Sequence, residues 1–266
     1  MTDISILELE EFALELARTA GGIAQAHFRR PHSVDNKAET GFDPVTAADR
    51  AIERVLRAAI VERYPSHGIV GEEETGRSAT SAYTWYIDPI DGTRAFVMGS
   101  PLWGTLIGVT HAGVPLFGLL CQPILEEVFF GGPAGSWLVQ ADKRERLATS
   151  ACAALADARL ASTHPDMFRG ADAAAFAAVA KQAKLTRFGG DCYNYAMLAA
   201  GHVDLVVEAQ LKPFDIVPLI PVIEGAGGVV SDWTGGPALA GGNVVAAATE
   251  ALHQAALGAL QNGAKG

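Results

Sequence analysis

The order of the predicted secondary-structure elements constrains the fold of this chain more than any other feature, and that order changes near residue 145. Before the change, short apolar segments are separated by glycine-containing turns, which predicts an antiparallel run of strands. These segments are 84–87, 106–111, 114–122, 127–130 and 136–140. From residue 158 onward, predicted strands alternate with predicted helices, as in α/β units. We therefore expect an α/β (α+β) fold with two domains, 1–145 and 146–266.

Two helices are predicted before the run of strands. Apolar residues recur at three- and four-residue spacing over 4–28 and again in the segment that follows Asp43-Pro44. Thr46 has the residue type and the position of an N-cap for the second helix. The polar stretch 31–44 has no periodicity and is predicted to be a loop, whereas the later apolar stretch 216–226 is predicted to be a helix.

The composition argues against several classes of protein. The 266 residues are 49% hydrophobic and 19% charged, which is enough for a sizeable core, and the net charge of −10 argues against a general nucleic-acid binder. Cys121, Cys152 and Cys192 are widely spaced, which disfavours a zinc site or a disulfide framework and favours a reducing compartment. Neither a signal-peptide pattern nor an apolar run of membrane-spanning length is present, so we expect a cytoplasmic protein without a membrane partner.

Residues 88–93, Asp-Pro-Ile-Asp-Gly-Thr, directly follow the strand-like segment 84–87. Asp88 and Asp91 place two carboxylates at the end of a strand, and hard divalent cations prefer clustered oxygen ligands. Gly92 lets the backbone approach an anion closely, and amides at the start of a following helix can bind phosphate. We interpret the stretch as a site for metal and phosphate, in which bound cations would supply the positive charge that the chain lacks.

Three further acidic residues, Asp49, Glu72 and Asp215, stand at element boundaries. Each has a simpler explanation, because Asp49 and Asp215 could cap helices and Glu72 begins an acidic run that could be a solvated corner. Asp88-Pro89 could likewise be only a turn. These separate explanations do not account for the order and setting of the carboxylates together, which favours a common site.

The acidic motifs together resemble those of the inositol monophosphatase family over nearly the whole chain. The matching segments are 43–49 (Asp-Pro-Val-Thr-Ala-Ala-Asp), 71–73 (Gly-Glu-Glu), 88–93, 214–215 (Phe-Asp) and the glycine-containing 224–228. Members of the family are Mg²⁺-dependent, Li⁺-sensitive phosphomonoesterases with a layered α/β/α/β/α fold. The resemblance implies the same sandwich and the same class of reaction here.

The resemblance also implies a set of metal ligands. Glu72, Asp88 and the backbone carbonyl of Ile90 would hold one Mg²⁺, and Asp88, Asp91 and Asp215 would hold a second. A weaker third ion would depend on Glu72 and water. Two such ions clamp the attacking and leaving oxygens of an in-line displacement.

The catalytic and phosphate-binding residues follow from the same resemblance. Asp49, Thr93 and Glu72 form the expected catalytic set, in which Thr93 and Asp49 orient a water and accept its proton. The amides of Gly92 and Thr93 would bind phosphate oxygens. Lys37 aligns with a lysine of the family near the third ion, although a lone lysine in a loop is usually only solvated.

The residues that would select the substrate lie further along the chain. In the family, the positions of Asp191 and Glu208 face the leaving group, and Asn194 is a further polar candidate near the alcohol. Simpler explanations are a helix N-cap for Asp191 and an exposed strand end for Glu208. Two carboxylates suit a cationic alcohol better than a neutral polyol, and the chain resembles the histidinol-phosphatase branch of the family.

These observations favour hydrolysis of histidinol phosphate, a small phosphate monoester, in histidine biosynthesis. An inositol-1-phosphate or broad-specificity sugar-phosphate phosphatase is the alternative. A nucleotide 3′-phosphatase is less favoured because its more anionic substrate would need basic residues at Asp191 and Glu208. A metal-binding regulatory protein without turnover is the alternative of another class. The family is often dimeric, so we expect a homodimer, in which Arg94 would contact the second subunit, the substrate or neither.

Overall fold

The computed structural model describes residues 5–30, 34–36, 44–141 and 143–264. Within these ranges the α-helices are α1 (Ile6–His27), α2 (Ala47–Arg63), α3 (Thr93–Val97), α4 (Ala171–Ala180), α5 (Cys192–Ala199), α6 (Pro213–Ile216), α7 (Ile220–Glu224) and α8 (Glu250–Gly263). The strands are β1 (Val34–Asn36), β2 (Pro44–Thr46), β3 (Gly68–Gly71), β4 (Tyr83–Asp91), β5 (Gly104–His111), β6 (Val114–Gln122), β7 (Glu127–Gly132), β8 (Gly135–Gln140), β9 (Lys143–Arg146), β10 (Arg159–Ser162), β11 (Leu185–Phe188), β12 (Leu205–Leu211), β13 (Val229–Asp232) and β14 (Gly242–Ala247).

Seven strands form the first sheet in the order β3-β4-β5-β6-β7-β8-β9. β3 runs parallel to β4, and each later neighbouring pair is antiparallel. The antiparallel run predicted between residues 84 and 140 is confirmed. The sheet continues to β9, whose four exposed residues are all charged and therefore show no apolar alternation from which a strand could be predicted.

Five strands form the second sheet in the order β11-β10-β12-β14-β13. β10, β11 and β12 are parallel, as the strand–helix alternation indicates, whereas β14 and β13 are antiparallel to their neighbours. In the predicted loop 31–44, the described residues include β1 and part of β2, which pair antiparallel. Lys37 and Asp43 lie outside the described residues.

The elements stack in five layers. α1 and α2 cover one face of the seven-stranded sheet, α5, α6 and α7 lie between the two sheets, and α4 and α8 cover the second sheet. Three buried apolar clusters fill the spaces between the layers, and one of them extends over both faces of the middle layer. The predicted α/β/α/β/α sandwich is confirmed. Across the described ranges, no helix is both long and apolar enough to cross a membrane.

Three glycines in a row across the first sheet allow the middle layer to approach it closely. Gly108, Gly118 and Gly131 are register partners on β5, β6 and β7. A Cβ on Gly118 would lie 1.9 Å from the carbonyl oxygen of Pro218, and one on Gly131 would lie 2.3 Å from that of Pro221. The backbone of the middle layer therefore packs directly on the backbone of the sheet, which only glycine permits.

The single helix predicted for 216–226 is wrong. α6 ends at Ile216, a turn follows, and α7 begins at Ile220. Pro218 lies in that turn, and proline lacks the amide that a continuing helix needs and clashes with the preceding turn. The apolar spacing of this segment reflects its burial between two sheets.

The division at 145/146 stays a prediction. Residues of both halves share one buried cluster, in which Leu106 and Phe129 of the first sheet pack with Ile220 and Ile223 of the second half. The middle layer therefore joins the two halves, and it carries the segment with Asp215 towards the end of β4.

Candidate active site

The end of β4 is held in an irregular conformation that exposes polar groups. The register of the β4–β5 pair shifts between Asp88 and Asp91, and the Asp88 carboxylate accepts a hydrogen bond from the amide of Ile90 at 3.0 Å. The Thr105 hydroxyl donates to the carbonyl of Pro89 at 2.7 Å. These bonds fix the turn and direct the two carboxylates away from the ladder of the sheet.

Gly92 ends this turn in the left-handed region, with φ 93°, and α3 begins directly after it. A side chain at this position would be strained by that φ, and its Cβ would lie 3.2 Å from the Cβ of Asp191. Gly92 is therefore needed both for the turn and for the close approach of the segment with Asp191.

A pocket of about 190 Å³ brings most of the predicted site residues together. It is lined by Glu72, Asp88, Ile90, Asp91, Gly92, Thr93, Asp191, Glu208 and Asp215. These residues come from both sheets and from the middle layer. The pocket thus joins the predicted metal-binding, phosphate-binding and substrate-binding positions in one space.

Glu72 and Asp215 reach the pocket from opposite sides of the Asp88 turn. β3 pairs with β4 so that Gly71 lies beside Ile87, which carries Glu72 to the position next to Asp88. Asp215 lies in the first turn of α6, and its carboxylate accepts the amide of Lys212 at 2.7 Å. Asp215 therefore caps a helix and lines the pocket, so the simpler explanation and the predicted role are compatible.

The electrostatics of the pocket suit cations. Burial raises the pKa of Asp88 well above its usual range, and the carboxylates of Glu72, Asp91 and Asp215 raise it further. Burial raises the pKa of Asp91 in the same direction, followed by the charges of Asp215 and Asp191. Bringing carboxylates together in a buried site is costly unless protons or cations neutralise them.

Oxygen donors of this kind fit Mg²⁺, which is bound in proteins mainly through carboxylates, substrate phosphates and water. Glu72 also lies near enough to Asp88 for a contact between the two carboxyl groups to add to the raised pKa of Asp88. In the ranges described, no three His, Cys, Asp or Glu side chains are already arranged to hold a metal ion. The chemistry of the donors therefore supports the predicted ligand set.

Asp49 and Thr93 form a short polar chain beside the pocket. The Thr93 hydroxyl donates to the Ile90 carbonyl at 3.0 Å and lies 3.4 Å from Oδ1 of Asp49. The amide and hydroxyl of Thr46 donate to Oδ2 of Asp49, which is fully buried. The capping role foreseen for Thr46 is confirmed, and the same bonds leave Oδ1 of Asp49 facing Thr93.

Asp191 has an unusual backbone conformation, with φ 43° and ψ −133°, and it follows two glycines that also have positive φ. Asp191 is the N-cap residue of α5, as the simpler explanation expects, but its side chain makes no capping hydrogen bond, so capping does not account for the carboxylate. Burial raises the pKa of Asp191 to about 6, although the Gly190 amide and the positive charges of Arg94 and His164 lower it. A strained backbone that presents a half-buried carboxylate to a pocket is typical of a functional position.

Glu208 is buried in β12 and is not an exposed strand end. The amide of Thr163 donates to one carboxylate oxygen at 2.9 Å, and the hydroxyl of Tyr195 donates to the other at 3.0 Å. Burial raises the pKa of Glu208 to about 7, which these hydrogen bonds partly oppose and the charge of Asp191 reinforces.

Four residues that line the pocket were not predicted from the sequence: Thr163, Met167, Tyr195 and Leu211. Tyr195 lies one helical turn after Asp191, so the spacing of four residues on a helix was a usable signal. Thr163 and Met167 belong to the segment after β10, where no motif marks them.

The remaining candidates lie away from the lining of the pocket. Asn194 lines a different pocket, where a Cβ on Gly190 would lie 2.3 Å from its side-chain oxygen, and its Nδ2 is buried without a hydrogen-bond partner. Arg94 lies on α3 and acts on Asp191 through its charge. The expectation for Lys37 falls outside the described residues.

The fold and the carboxylate-lined pocket together define a phosphatase of the layered α/β/α/β/α class. Residues 6–264 match the sequence profile of the inositol monophosphatase family, and the chain belongs to that family. It is therefore a phosphoric monoester hydrolase of a family whose enzymes are generally metal-dependent.

The relatives carry several different names. The chain is 39% identical to the chloroplastic bifunctional phosphatase IMPL2 of Arabidopsis thaliana, over 98% of this chain and 78% of that protein. It is 32% identical to a histidinol-phosphatase of Mycobacterium tuberculosis, over 94% of this chain and 97% of that protein. An inositol monophosphatase structure from Zymomonas mobilis matches with a TM-score of 0.85 and 38% identity, over 97% of this chain and 100% of that one.

Proposed function

We propose that this protein is a Mg²⁺-dependent phosphatase that hydrolyses histidinol phosphate to histidinol and phosphate. One observation carries the choice of substrate: Asp191 and Glu208 line the same pocket as the predicted metal and phosphate residues. Two carboxylates beside the leaving alcohol complement the ammonium and imidazole of histidinol better than the hydroxyls of a polyol. Relatives named histidinol-phosphatase support the same choice.

The carboxylates divide into two groups by what surrounds them. Glu72, Asp88, Asp91 and Asp215, with the carbonyl of Ile90, would hold two or three Mg²⁺ ions. When bound, Mg²⁺ would supply an activated water and would stabilise the negative charge that develops on the leaving oxygen.

Asp49 and Thr93 would orient the attacking water and take up its proton, with Glu72 completing the catalytic set. Oδ1 of Asp49 is the atom suited to this task, because it lies 3.4 Å from the Thr93 hydroxyl. The amides of Gly92 and Thr93 would bind phosphate oxygens, which the open left-handed turn at Gly92 allows.

Asp191 and Glu208 would bind the alcohol. Asp191 is free of a capping bond, so it would form the direct ion pair, whereas Glu208 is held by Thr163 and Tyr195 and would supply its remaining lone pairs. Asn194 is a weaker candidate for the same role than Tyr195, because it lines a different pocket.

A phosphate-release panel tests the substrate. Purified protein with Mg²⁺ is assayed with histidinol phosphate, inositol 1-phosphate and adenosine 3′,5′-bisphosphate, and we expect a kcat/KM at least tenfold higher for histidinol phosphate than for the other two. Equal rates, or a preference for inositol 1-phosphate, would reject the proposed substrate while leaving the phosphatase reaction intact.

An inositol-1-phosphate or broad-specificity sugar-phosphate phosphatase is the second candidate, favoured by the likeness to the Zymomonas mobilis inositol monophosphatase. A metal-binding regulatory protein without turnover is the alternative of another class, and Asp88→Asn tests it: an enzyme would lose its activity and a scaffold would keep its role. A cytoplasmic homodimer without nucleic-acid or membrane partners remains part of the proposal, with Arg94 and the segment 94–103 as interface candidates.

A further inference from the structure

A buried ion pair on α2 stands behind the loop that carries Glu72. Glu53 and Arg57 lie one and two turns after Asp49 on the same helix, and both are buried. Nε of Arg57 donates to Oε1 of Glu53 at 2.7 Å. Neither side chain lines the pocket, so the pair does not belong to the site described above.

Both side chains of this pair form hydrogen bonds with the backbone of the loop that follows Glu72. The Glu53 carboxylate accepts the amides of Glu73 at 2.7 Å and Glu74 at 3.0 Å. The Arg57 guanidinium donates to the carbonyl of Glu74 at 2.8 Å and to that of Thr75 at 3.3 Å. One carboxylate and one guanidinium thus satisfy four backbone groups in three consecutive residues.

The residue on the other side of Glu72 is also fitted to this pair. A Cβ on Gly71 would lie 2.3 Å from Oε1 of Glu53 and 2.8 Å from Nη2 of Arg57. Further along, Ile69 and Arg77 exchange backbone hydrogen bonds at 2.9 and 2.8 Å, which closes the loop at its base. The ion pair therefore contacts the backbone on both sides of Glu72: it packs against Gly71 and accepts a hydrogen bond from the amide of Glu73.

We propose that Glu53 and Arg57 are positioning residues that hold the loop 71–75 so that the carboxylate of Glu72 faces the pocket and can bind Mg²⁺. The proposal rests on the metal-dependent function given above and concerns residues outside its ligand set. Groups that orient a metal ligand determine the affinity of the site nearly as much as the ligand does. α2 thereby supports the site twice, through Asp49 and through the loop of Glu72.

Two variants weaken, in different ways, the hydrogen bonds between the ion pair and the backbone of the loop. Glu53→Gln keeps the shape of the side chain but replaces one acceptor oxygen by an NH₂ group that faces other donors. Arg57→Lys keeps the positive charge but loses the fork that reaches the two carbonyls. Arg63→Gln is the matched control, because Arg63 lies on the same helix in exposed ion pairs with Glu8 and Glu15.

The experiment measures Mg²⁺ binding separately from folding. Titration calorimetry with Mg²⁺ on chelator-treated protein gives Kd, thermal unfolding in EDTA gives stability without metal, and hydrogen exchange reports on the amides of Glu73 and Glu74. We expect Glu53→Gln and Arg57→Lys to bind Mg²⁺ about 10- to 100-fold more weakly, with faster exchange of both amides. Phosphate release should need correspondingly more Mg²⁺ and recover when Mg²⁺ is saturating, and Arg63→Gln should match the wild type.

The outcomes separate this proposal from the function on which it rests. Wild-type Mg²⁺ affinity in a folded variant overturns the positioning role, even if that variant unfolds at a lower temperature. If Glu53→Gln does not fold, Arg57→Lys decides, because it keeps a cation beside Glu53. If the unaltered protein binds no Mg²⁺, the metal-dependent function itself is rejected and the positioning role falls with it.

Discussion

At the scale of single residues, Asp191 combines three properties that rarely occur together. Its φ is positive, its carboxylate is half-buried with a raised pKa, and its side chain makes no capping bond. Non-glycine residues in such a conformation cost free energy that the surrounding structure must offset. Gly189 and Gly190 have positive φ as well, so the whole turn is built to bring this carboxylate to the pocket.

Removal of the charge at Asp191 should therefore separate the candidate substrates. We expect Asp191→Asn, which keeps the shape and tolerates positive φ, to lower kcat/KM for histidinol phosphate about 10- to 100-fold. The value for inositol 1-phosphate should change less than about threefold, because a hydroxyl does not need the charge. Steady-state kinetics with both esters measures the difference, and a parallel loss on both would assign Asp191 to general catalysis or to folding.

Glu208 should make the metal-free protein less stable as the pH rises. Its pKa in the folded state is about 7, above the ordinary value of 4.5, so the folded protein keeps the proton to higher pH than the unfolded chain. Below about pH 4 the group is protonated in both states and nothing is lost, whereas between about pH 4.5 and 7 stability falls by about 3 kcal/mol.

Glu208→Gln isolates this contribution, because the amide keeps an acceptor for Thr163 and the Tyr195 hydroxyl can rotate. Urea unfolding in EDTA at pH 5 and pH 8 should show a smaller loss of stability for Glu208→Gln than for the wild type. Parallel curves for the two proteins would mean that Glu208 is not protonated in the folded state at pH 5.

At the scale of elements, the contact between the middle layer and the first sheet depends on the glycine row. Pro218 lies on Gly108 and Gly118, and Pro221 lies on Gly131. The same segment includes α6 and Asp215, so its packing against the sheet determines the position of one predicted metal ligand. Backbone packed on backbone cannot adjust by a change of rotamer, which makes this contact unusually sensitive to added volume.

Gly118→Ala should consequently destabilise the protein by about 3 kcal/mol or more, since the new methyl group would overlap a backbone carbonyl. Gly22→Ala in α1 is the control, because a Cβ there meets no atom within 4 Å and alanine favours the helix by about 0.5–1 kcal/mol. Urea unfolding of both variants compares them. Wild-type stability for Gly118→Ala would show that the middle layer can shift away from the sheet.

At the scale of the whole molecule, the carboxylates of the pocket come from both halves of the chain. Asp88 and Asp91 end a strand of the first sheet, whereas Asp215 belongs to the middle layer and Glu208 to the second sheet. Burial raises the pKa of Asp88 and Asp91, and the charges of neighbouring carboxylates raise it further. A bound cation would reverse that effect and couple the two halves.

Mg²⁺ should therefore raise the unfolding temperature and EDTA should reverse the change. At a concentration 100 times Kd the gain in the free energy of unfolding is about 2.7 kcal/mol. Asp91→Asn should weaken the response, and NaCl at equal ionic strength is the control for screening. A midpoint that does not respond to Mg²⁺ would contradict a resident metal site.

The sequence by itself determined the chemistry of the donors and most of the elements. Asp88, Asp91 and Gly92 lie within one turn, so their residue types and spacing already carry the geometry of a strand end. The alternation of apolar residues likewise reports which face of each strand is buried. The motifs carry the resemblance to the family, and that resemblance, not the local pattern itself, implied the layered fold.

Only the tertiary structure decided what surrounds those donors. Tyr195 and Thr163 form hydrogen bonds with Glu208. The row of glycines lets the segment of α6 and α7 pack closely on the first sheet. Glu53 and Arg57 bind the loop of Glu72. Contacts between residues far apart in the chain leave no period in the sequence, because each depends on the register of strands and the packing of layers. Pro218 by itself indicates a break in the helix, but the sequence does not show that the segment around it packs against the first sheet.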